Sequence, residues 1–221
     1  LNPTVALIIL TLVFSNLFGQ DPKTFAIFLF SGLVAFNFFS ACILTGSKTF
    51  FEYHGLIDKV NLPKILFPVA VVASVLVDSF LVFIALLIMM FFLGSPISIN
   101  LLIVPISYLA LVIFTFGLTL VVSILTVFYR DVQQIIPYIL QSLFFLSPIL
   151  YPKTQFGDGL LSFFISLNPI SVYVELFRAP IYEGNLPSLF YFISGFSLSF
   201  ISLTVGLLFF FKYKHLIIFK L

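Results

Sequence analysis

The chain has 221 residues, of which 62% are hydrophobic and 8% are charged, and its formal net charge is +2. A soluble domain carries about 25% charged residues, so this composition excludes a water-soluble protein and predicts a single integral membrane domain over residues 1–221. The small net charge gives no support to nucleic-acid binding, and the single cysteine, Cys42, excludes a disulfide framework within the chain.

Six apolar runs predict six transmembrane helices, over residues 4–18, 25–45, 65–93, 101–128, 135–151 and 186–211. The runs are continuous and much longer than the alternating strands of a membrane barrel, so the predicted fold class is an all-α integral membrane protein. The first run is short and the sequence starts at Leu1 without a methionine, so we expect that N-terminal residues are missing.

Basic residues are unevenly divided between the two sets of connections that join these runs. One set holds seven: Lys48, Lys59, Lys64, Arg130, Lys212, Lys214 and Lys220. The other holds three: Lys23, Lys153 and Arg178. Cytoplasmic connections of membrane proteins are enriched in Lys and Arg, so this bias predicts that both termini lie in the cytoplasm.

The predicted cytoplasmic connection over residues 46–64 has the pattern of an amphipathic helix. Its apolar residues recur at helical spacing: Phe50, Tyr53, Ile57 and Val60. Charged residues occupy another face: Lys48, Glu52 and Lys59. We therefore predict a short helix over residues 50–60. Two interpretations stay open, a helix that only lies on the membrane surface and a helix that docks a cytoplasmic subunit.

The charge bias places the connection over residues 151–185 on the outer side of the membrane. This connection contains two apolar runs that are too short to span a membrane. The runs cover residues 160–167 and 170–177, with a turn at Gly157–Gly159 before them and a break at Asn168-Pro169 between them. Eight helical residues rise about 12 Å, against about 30 Å of hydrocarbon. We predict that each run enters the membrane and returns, as irregular backbone does where it lines a pathway.

Two charged positions are candidates for function. Asp78 lies near the middle of the third run, where an ionisable residue is a functional hypothesis by default. Ion coupling and a structural hydrogen bond to a neighbouring helix are both open for it. Arg130-Asp131 follows the fourth run, either as a stop-transfer charge pair or as a contact for a gate or partner.

We predict no catalytic site, metal site or cofactor on this chain. His54 and His215 lie at predicted interfaces without surrounding carboxylates, which favours interfacial side chains over ligands or bases. The segment Gly46-Ser47-Lys48-Thr49 lacks the first glycine and the Gly-Lys pair of a phosphate loop. If ATP drives this protein, we expect another chain to bind it.

Five tyrosines are candidates for a substrate pathway: Tyr108, Tyr138, Tyr151, Tyr173 and Tyr182. Aromatic belts at membrane interfaces are common and explain such residues equally well. Tyrosines that face a pore would instead stack on sugar rings and bond to hydroxyl groups without a charge. This second interpretation suits a carbohydrate that slides through the protein.

Several segments together resemble the ABC-2 type permeases, the membrane subunits of exporters for O-antigen, teichoic acid and capsule. The segments are Leu56-Ile57-Asp58-Lys59-Val60-Asn61-Leu62-Pro63 with Pro68, Phe128-Tyr129-Arg130-Asp131-Val132, Ser147-Pro148-Ile149-Leu150-Tyr151, Asn168-Pro169-Ile170 and Glu175-Leu176-Phe177-Arg178. Together they cover most of the chain and occur in the family's order.

The resemblance implies a bacterial inner-membrane homodimer with a channel between the copies and two ATPase subunits, which carry the ATP and Mg. It implies a lipid-linked glycan as substrate and a coupling helix that contacts the ATPase through Phe50, Glu52, Tyr53, His54, Ile57 and Lys59. It also implies a re-entrant lid that includes Gly157, Gly159, Asn168, Pro169, Glu175 and Arg178. The family's N-terminal amphipathic helix does not precede the first run of this sequence.

The sequence also leaves other functions open as alternatives. An ABC-2 exporter of teichoic acid, a lipid or a drug would share these segments. An ion-coupled secondary transporter predicts broken helices in two halves and paired intramembrane charges, whereas this sequence has one broken region and one buried acid. A membrane enzyme acting on lipid-linked sugars would need acids, histidines or metal ligands clustered at one face.

Overall fold

The computed structural model describes residues 3–57, 59, 62–95, 98–152 and 159–220. Over these residues the chain forms helices joined by turns and no strand, which confirms the all-α fold class. The α-helices are α1 (Pro3–Phe18), α2 (Pro22–Glu52), α3 (His54–Ile57), α4 (Leu66–Phe92), α5 (Val104–Phe128), α6 (Asp131–Leu146), α7 (Leu160–Leu167), α8 (Pro169–Arg178), α9 (Leu189–Tyr213) and α10 (Ile217–Lys220). Three short turns complete the set: two of 3₁₀ type, Ile99–Ile103 and Lys214–Leu216, and one of π type, Ala179–Glu183.

Four segments among the described residues are long and apolar enough to cross a membrane: Pro22–Glu52, Leu66–Phe92, Ile99–Phe128 and Leu189–Leu216. They correspond to the second, third, fourth and sixth predicted spans. The first and fifth predicted spans form helices α1 and α6, but each has 16 residues. Such a helix is about 24 Å long, shorter than the hydrocarbon layer. The prediction of six spans is therefore confirmed only for four of them.

The end of α2 lies further along the chain than predicted. The second span was expected to end at residue 45, yet the helix continues to Glu52. Two hydroxyl groups of this extension are satisfied inside the helix, since Ser47 Oγ donates to the Leu44 carbonyl at 2.7 Å and Thr49 Oγ1 to the Thr45 carbonyl at 3.1 Å. The predicted separate helix over residues 50–60 is wrong, and only α3 is distinct from α2.

The backbone contacts divide the chain into two compact units. The first unit contains Leu1–Phe36, Phe80–Tyr108 and Leu143–Ser194. The second contains Asn37–Ser79, Leu109–Ser142 and Gly195–Leu221. Each unit therefore gathers sequence-distant segments of several helices.

In the second unit, α9 packs closely against α5 through small residues. Its buried small residues lie on one face: Gly195, Ser199, Ser202 and Gly206. Ser199 Oγ donates to the Ala110 carbonyl at 2.6 Å, and Ser202 Oγ to the Phe114 carbonyl at 2.7 Å. These small residues and hydroxyl bonds let the two backbones approach closely, as small residues four positions apart do between membrane helices.

A hydrophobic cluster in the second unit joins the ends of four long helices. It consists of Phe50, Phe67, Leu120, Ile124, Val127, Phe210 and Ile217. Phe50 lies at the centre of the aromatic contacts, with ring centroids 6.2 Å from Phe67 and 6.5 Å from Phe210. The cluster therefore holds together the end of α2, the start of α4, and the ends of α5 and α9.

Candidate functional site

The two short helices of the predicted lid, α7 and α8, are separated where the sequence predicted a break. Asn168 Oδ1 accepts a hydrogen bond from the backbone N–H of Ile170 at 3.0 Å, and Pro169 is the first residue of α8. This is a helix N-cap followed by proline at the position where its missing N–H has no effect. Asn168 Nδ2 also donates to Ser147 Oγ at 2.8 Å, which ties the cap to the chain after α6.

Neither α7 nor α8 is long enough to span a membrane. They have eight and ten residues, or about 12 and 15 Å of rise. Ser171 Oγ of α8 donates to the Ile165 carbonyl of α7 at 2.8 Å, so the two helices are joined across their break. Gly159 takes an extended conformation before α7, whereas Gly157 lies outside the described residues.

Arg178 at the end of α8 is a buried cation with an aromatic partner. Only 3% of its surface is exposed. Its guanidinium carbon lies 3.7 Å from the ring centroid of Phe28 in α2, and its Nη2 donates to the Ile149 carbonyl at 3.4 Å. Its Nε has no hydrogen-bond partner in the described part of the chain. A Cβ on Gly32 would lie 3.1 Å from the Arg178 Nη2, so this glycine leaves room for the guanidinium.

Burial and nearby carboxylates act on Arg178 in opposite directions. Burial lowers the pKa of Arg178 to about 10, while the charges of Glu175 and then Glu183 raise it. Glu175 lies three residues before Arg178 on α8, the i,i+3 spacing at which opposite charges on a helix attract. The contact with Phe28 was not predicted, because it joins residues far apart in sequence.

The five candidate tyrosines have different environments. Tyr173 is fully buried, so its assignment to an accessible pathway is wrong for this conformation. Tyr108 packs edge-on against Phe83 and Phe177. Tyr151 donates its hydroxyl to the Phe145 carbonyl at 2.7 Å.

The other two tyrosines are exposed. Tyr182 packs its ring edge-on against Phe28 at 5.2 Å and keeps part of its surface exposed. Tyr138 of α6 is 71% exposed and is the more accessible of the pair. A surface role therefore fits Tyr138 and Tyr182 better than the other three.

Tyr138 belongs to a polar stripe along α6. Gln134, Tyr138 and Gln141 are spaced at i, i+4 and i+7, which places them on one face of a helix, and all three are exposed. Ile136 and Leu140 are the buried residues of the same helix. The two glutamines were not singled out from the sequence, although their spacing from Tyr138 was a usable signal.

The predicted coupling segment contains one buried residue and several exposed ones. Glu52, Tyr53, His54 and Lys59 are exposed. Phe50 is 1% exposed, and its assignment to a docking surface is wrong because it belongs to the hydrophobic cluster. The side chain of Ile57 and the whole of Val60 lie outside the described residues.

Arg130 lies in the turn between α5 and α6, and Asp131 follows it directly. Both are exposed, and Asp131 is the first residue of α6, where a negative charge favours a helix N-terminus. The guanidinium of Arg130 lies 5.6 Å from the ring centroid of Phe51, near the end of α2. The Arg130–Asp131 turn therefore lies beside the segment predicted to contact a partner.

Asp78 lines a groove along α4. The groove has a volume of about 610 Å³ and is lined mainly by apolar residues, with Thr45, Ser74 and Asp78 as its polar members in the span region. Among the described residues, no group of three or more His, Cys, Asp or Glu side chains could hold a metal ion.

Several apolar helices of spanning length define a multi-pass membrane protein. Residues 1–182 match the family model of the ABC-2 type transporter, and the chain belongs to this family. The matched domain is the membrane permease part of a transporter, so the prediction that this chain is not an enzyme is confirmed. Family membership also implies a partner ATPase subunit.

Curated relatives of the chain are O-antigen permeases. It is 29% identical over 188 residues to the O-antigen export system permease protein RfbA of Myxococcus xanthus, covering 85% of this chain and 72% of that protein. It is 26% identical over 212 residues to the protein of the same name from Klebsiella pneumoniae, covering 92% of this chain and 80% of that protein.

Proposed function

We propose that this chain is the channel-forming membrane subunit of an ATP-driven exporter that moves a lipid-linked, O-antigen-like polysaccharide out of the cytoplasm. The observation that carries the proposal is its similarity to O-antigen export permeases over 85% and 92% of its length. The chain resides in the bacterial inner membrane and acts as a homodimer with two ATPase subunits, which bind ATP and Mg.

The hydrophobic cluster supports the proposed cytoplasmic position of the C-terminus and of the connection over residues 46–64. The ends of α2, α5 and α9 and the start of α4 meet in it. Lys64 lies just before α4 and Lys212 lies in the last turn of α9, so basic residues flank these same helix ends. Positive charge concentrated at one end of several spanning helices favours a cytoplasmic location for that end.

The polar stripe Gln134–Tyr138–Gln141 supports a pathway that runs along α6. Polar residues of a membrane helix face a neighbouring protein or a water-filled cavity, because contact with lipid leaves their hydrogen-bonding groups unsatisfied. All three residues are exposed on the single chain. In the proposed dimer they line the channel, where the Tyr138 ring stacks on sugars and the two amides bond to hydroxyl groups.

The α7–α8 pair forms the proposed lid at the outer end of the channel. Its capped break at Asn168 and the buried contact of Arg178 with Phe28 give it a defined shape. Glu52, Tyr53 and His54 form the proposed contact with the ATPase, since they are exposed at the end of a 31-residue helix. ATP binding on the partner then moves the inner end of α2.

The proposal is tested first by deleting the gene in its native host. We expect surface polysaccharide to disappear and lipid-linked polymer to accumulate on the cytoplasmic side. Unchanged surface polysaccharide would show that the substrate is something else.

The pathway is tested in the reconstituted complex with the triple variant Gln134→Leu, Tyr138→Leu and Gln141→Leu. Export should fall by about tenfold, the equivalent of about 1.4 kcal/mol of lost contact, while ATP hydrolysis continues. The matched control is Ile135→Leu with Ile139→Leu, two exposed apolar positions on the same helix. Equal export by the triple variant and the control would exclude α6 as the lining.

A further inference from the structure

The two helices of the proposed lid, α7 and α8, are buried to very different degrees. Seven of the ten residues of α8 are buried. In α7, Ile165 is buried, but the other apolar side chains that the structure describes are between 51% and 81% exposed: Leu160, Phe163, Phe164 and Leu167. Segments that open locally are those with few buried apolar contacts. Burial therefore distinguishes a firmly held helix, α8, from a loosely held one, α7.

Hydrogen bonds fasten α8, and the π turn after it, to the chain between α4 and α5 and to α5 itself. The carbonyl of Gly184, at the end of the π turn, accepts hydrogen bonds from Ser98 Oγ at 3.1 Å and from Asn100 Nδ2 at 2.6 Å. Ser107 Oγ of α5 donates to the Leu176 carbonyl of α8 at 3.1 Å, and both residues are fully buried. Losing a buried partner costs free energy, so these bonds oppose a displacement of α8.

The last residue of α8 adds a charged anchor on another side. The guanidinium carbon of Arg178 lies 3.7 Å from the ring centroid of Phe28 in α2, and Arg178 is almost fully buried. Moving α8 would carry this charge away from the ring and through apolar surroundings, where an uncompensated charge is costly. The helix is therefore held from two sides, by α2 and by the start of α5 with the chain before it.

A permanent break separates α7 from α8. Asn168 has an extended backbone, with φ −72° and ψ 115°, and it precedes Pro169. The proline ring disfavours a helical conformation for the residue before it, so the two helices do not merge into one. Both side-chain bonds of Asn168 hold it to the fixed part, since Oδ1 caps α8 and Nδ2 donates to Ser147. The joint that is left to turn lies between Leu167 and Asn168.

We propose that α7 alone is the moving part of the lid, turning at the joint between Leu167 and Asn168, while α8 stays fixed to α2 and α5. When the lid opens, α7 loses the hydrogen bond from Ser171 Oγ to the Ile165 carbonyl, and the Ile165 side chain leaves its buried position. Lids commonly turn at a few residues that end an element, as here. The inference rests on the proposed function, since a lid is needed only over a pathway.

A disulfide tests whether the end of α8 stays fixed. A Cβ on Gly184 would lie 3.7 Å from the Ser98 Cβ, within the range of about 3.5–4.5 Å between the Cβ atoms of a disulfide. With Cys42→Ala to remove the native thiol, Ser98→Cys with Gly184→Cys should oxidise equally fast with and without ATP. Slower oxidation in ATP would overturn the fixed position of α8, as would ATP hydrolysis that is lost on oxidation and regained on reduction.

Cysteine labelling compares the two helices directly and does not depend on a cysteine at the left-handed position of Gly184. In the Cys42→Ala protein, one cysteine is introduced as Ile165→Cys in α7 or, as the matched control, as Val174→Cys in α8, two buried aliphatic positions. The chain is assembled with its ATPase in nanodiscs, which leave both membrane faces accessible, and treated with a water-soluble maleimide. Buried thiols are inert, so labelling reports opening.

We expect ATP to accelerate the labelling of Ile165→Cys and to leave Val174→Cys unchanged. A minor conformation is populated at about 0.1–10%, so ATP that makes the open state the major one raises the rate about tenfold or more. Equal acceleration at both positions would overturn the proposal, as would ATP hydrolysis without acceleration at Ile165→Cys. The labelling needs no identified substrate. Acceleration confined to Ile165→Cys, together with unchanged surface polysaccharide after gene deletion, would refute the polysaccharide and retain the moving helix.

Discussion

The contact between α5 and α9 predicts that Gly117→Ala destabilises the fold. A Cβ on Gly117 would overlap the backbone carbonyl group of Ser202, and a Cβ on Gly206 would overlap the carbonyl group of Gly117. Backbone atoms cannot rotate away as the end of a flexible side chain can. The methyl group therefore forces the two helices apart.

The magnitude follows from three terms. Overpacking a close contact destabilises by about 1–3 kcal/mol. Separating the helices also lengthens the hydrogen bonds of Ser199 and Ser202 to α5, and such bonds contribute about 0.6 kcal/mol each inside a membrane protein. Alanine opposes this by up to about 1 kcal/mol through its higher helix propensity. The overlap outweighs the propensity, and we expect a net loss of about 1–3 kcal/mol in the free energy of unfolding.

Equilibrium unfolding in detergent micelles measures this loss. The matched control is Gly55→Ala, because a Cβ on Gly55 would have no described atom within 4 Å, and we expect that variant to be neutral or slightly stabilised. The double variant Gly117→Ala with Gly206→Ala should lose less than the sum of the single variants, since separation caused by one methyl makes room for the other. A Gly117→Ala protein within about 0.5 kcal/mol of the Gly55→Ala control would refute the reasoning.

Two further predictions concern the lid and the coupling segment. Arg178→Lys should destabilise by about 1 kcal/mol, part of a desolvated cation–π contact, because the ammonium keeps the charge but not the planar stacking on Phe28, and a thermodynamic cycle with Phe28→Leu should show clear coupling. Additive effects in thermal unfolding would mean that the guanidinium gains nothing from the ring. Combined alanine substitution of Glu52, Tyr53 and His54 should abolish transport-stimulated ATP hydrolysis without unfolding the chain, whereas Lys48→Ala should not. Normal assembly and stimulation by the triple variant would exclude this segment as the ATPase contact.

The long helices were predictable from the sequence because a bilayer leaves the backbone few alternatives. A lipid-exposed segment must satisfy its N–H and C=O groups internally, so an apolar run of sufficient length forms a helix. The third run was predicted over residues 65–93, and α4 covers Leu66–Phe92. The break at Asn168-Pro169 was equally predictable, since a capping side chain followed by proline has a local physical meaning.

The burial of particular side chains was not predictable from the sequence. In a chain dissolved in lipid, an apolar or aromatic residue faces lipid as readily as protein, so hydropathy does not separate Tyr173, which is buried, from Tyr138, which is exposed. The contact of Arg178 with Phe28 was not predictable for a different reason. Its ring contact with Phe28 depends on tertiary packing that no local spacing reports.

The burial of Phe50 changes the mechanical interpretation of the coupling segment. A separate helix over residues 50–60 would have moved on its own and passed force through a flexible joint. Instead α2 runs without interruption to Glu52, and Phe50 in its last turns packs against Phe67 and Phe210. A force that a bound ATPase exerts on the exposed residues Glu52 and Tyr53 therefore displaces the hydrophobic cluster, which contains the ends of α5 and α9 as well. Close-packed interiors transmit such displacements because they leave little empty volume in which to absorb them. The ATPase is thus expected to act on four helix ends together.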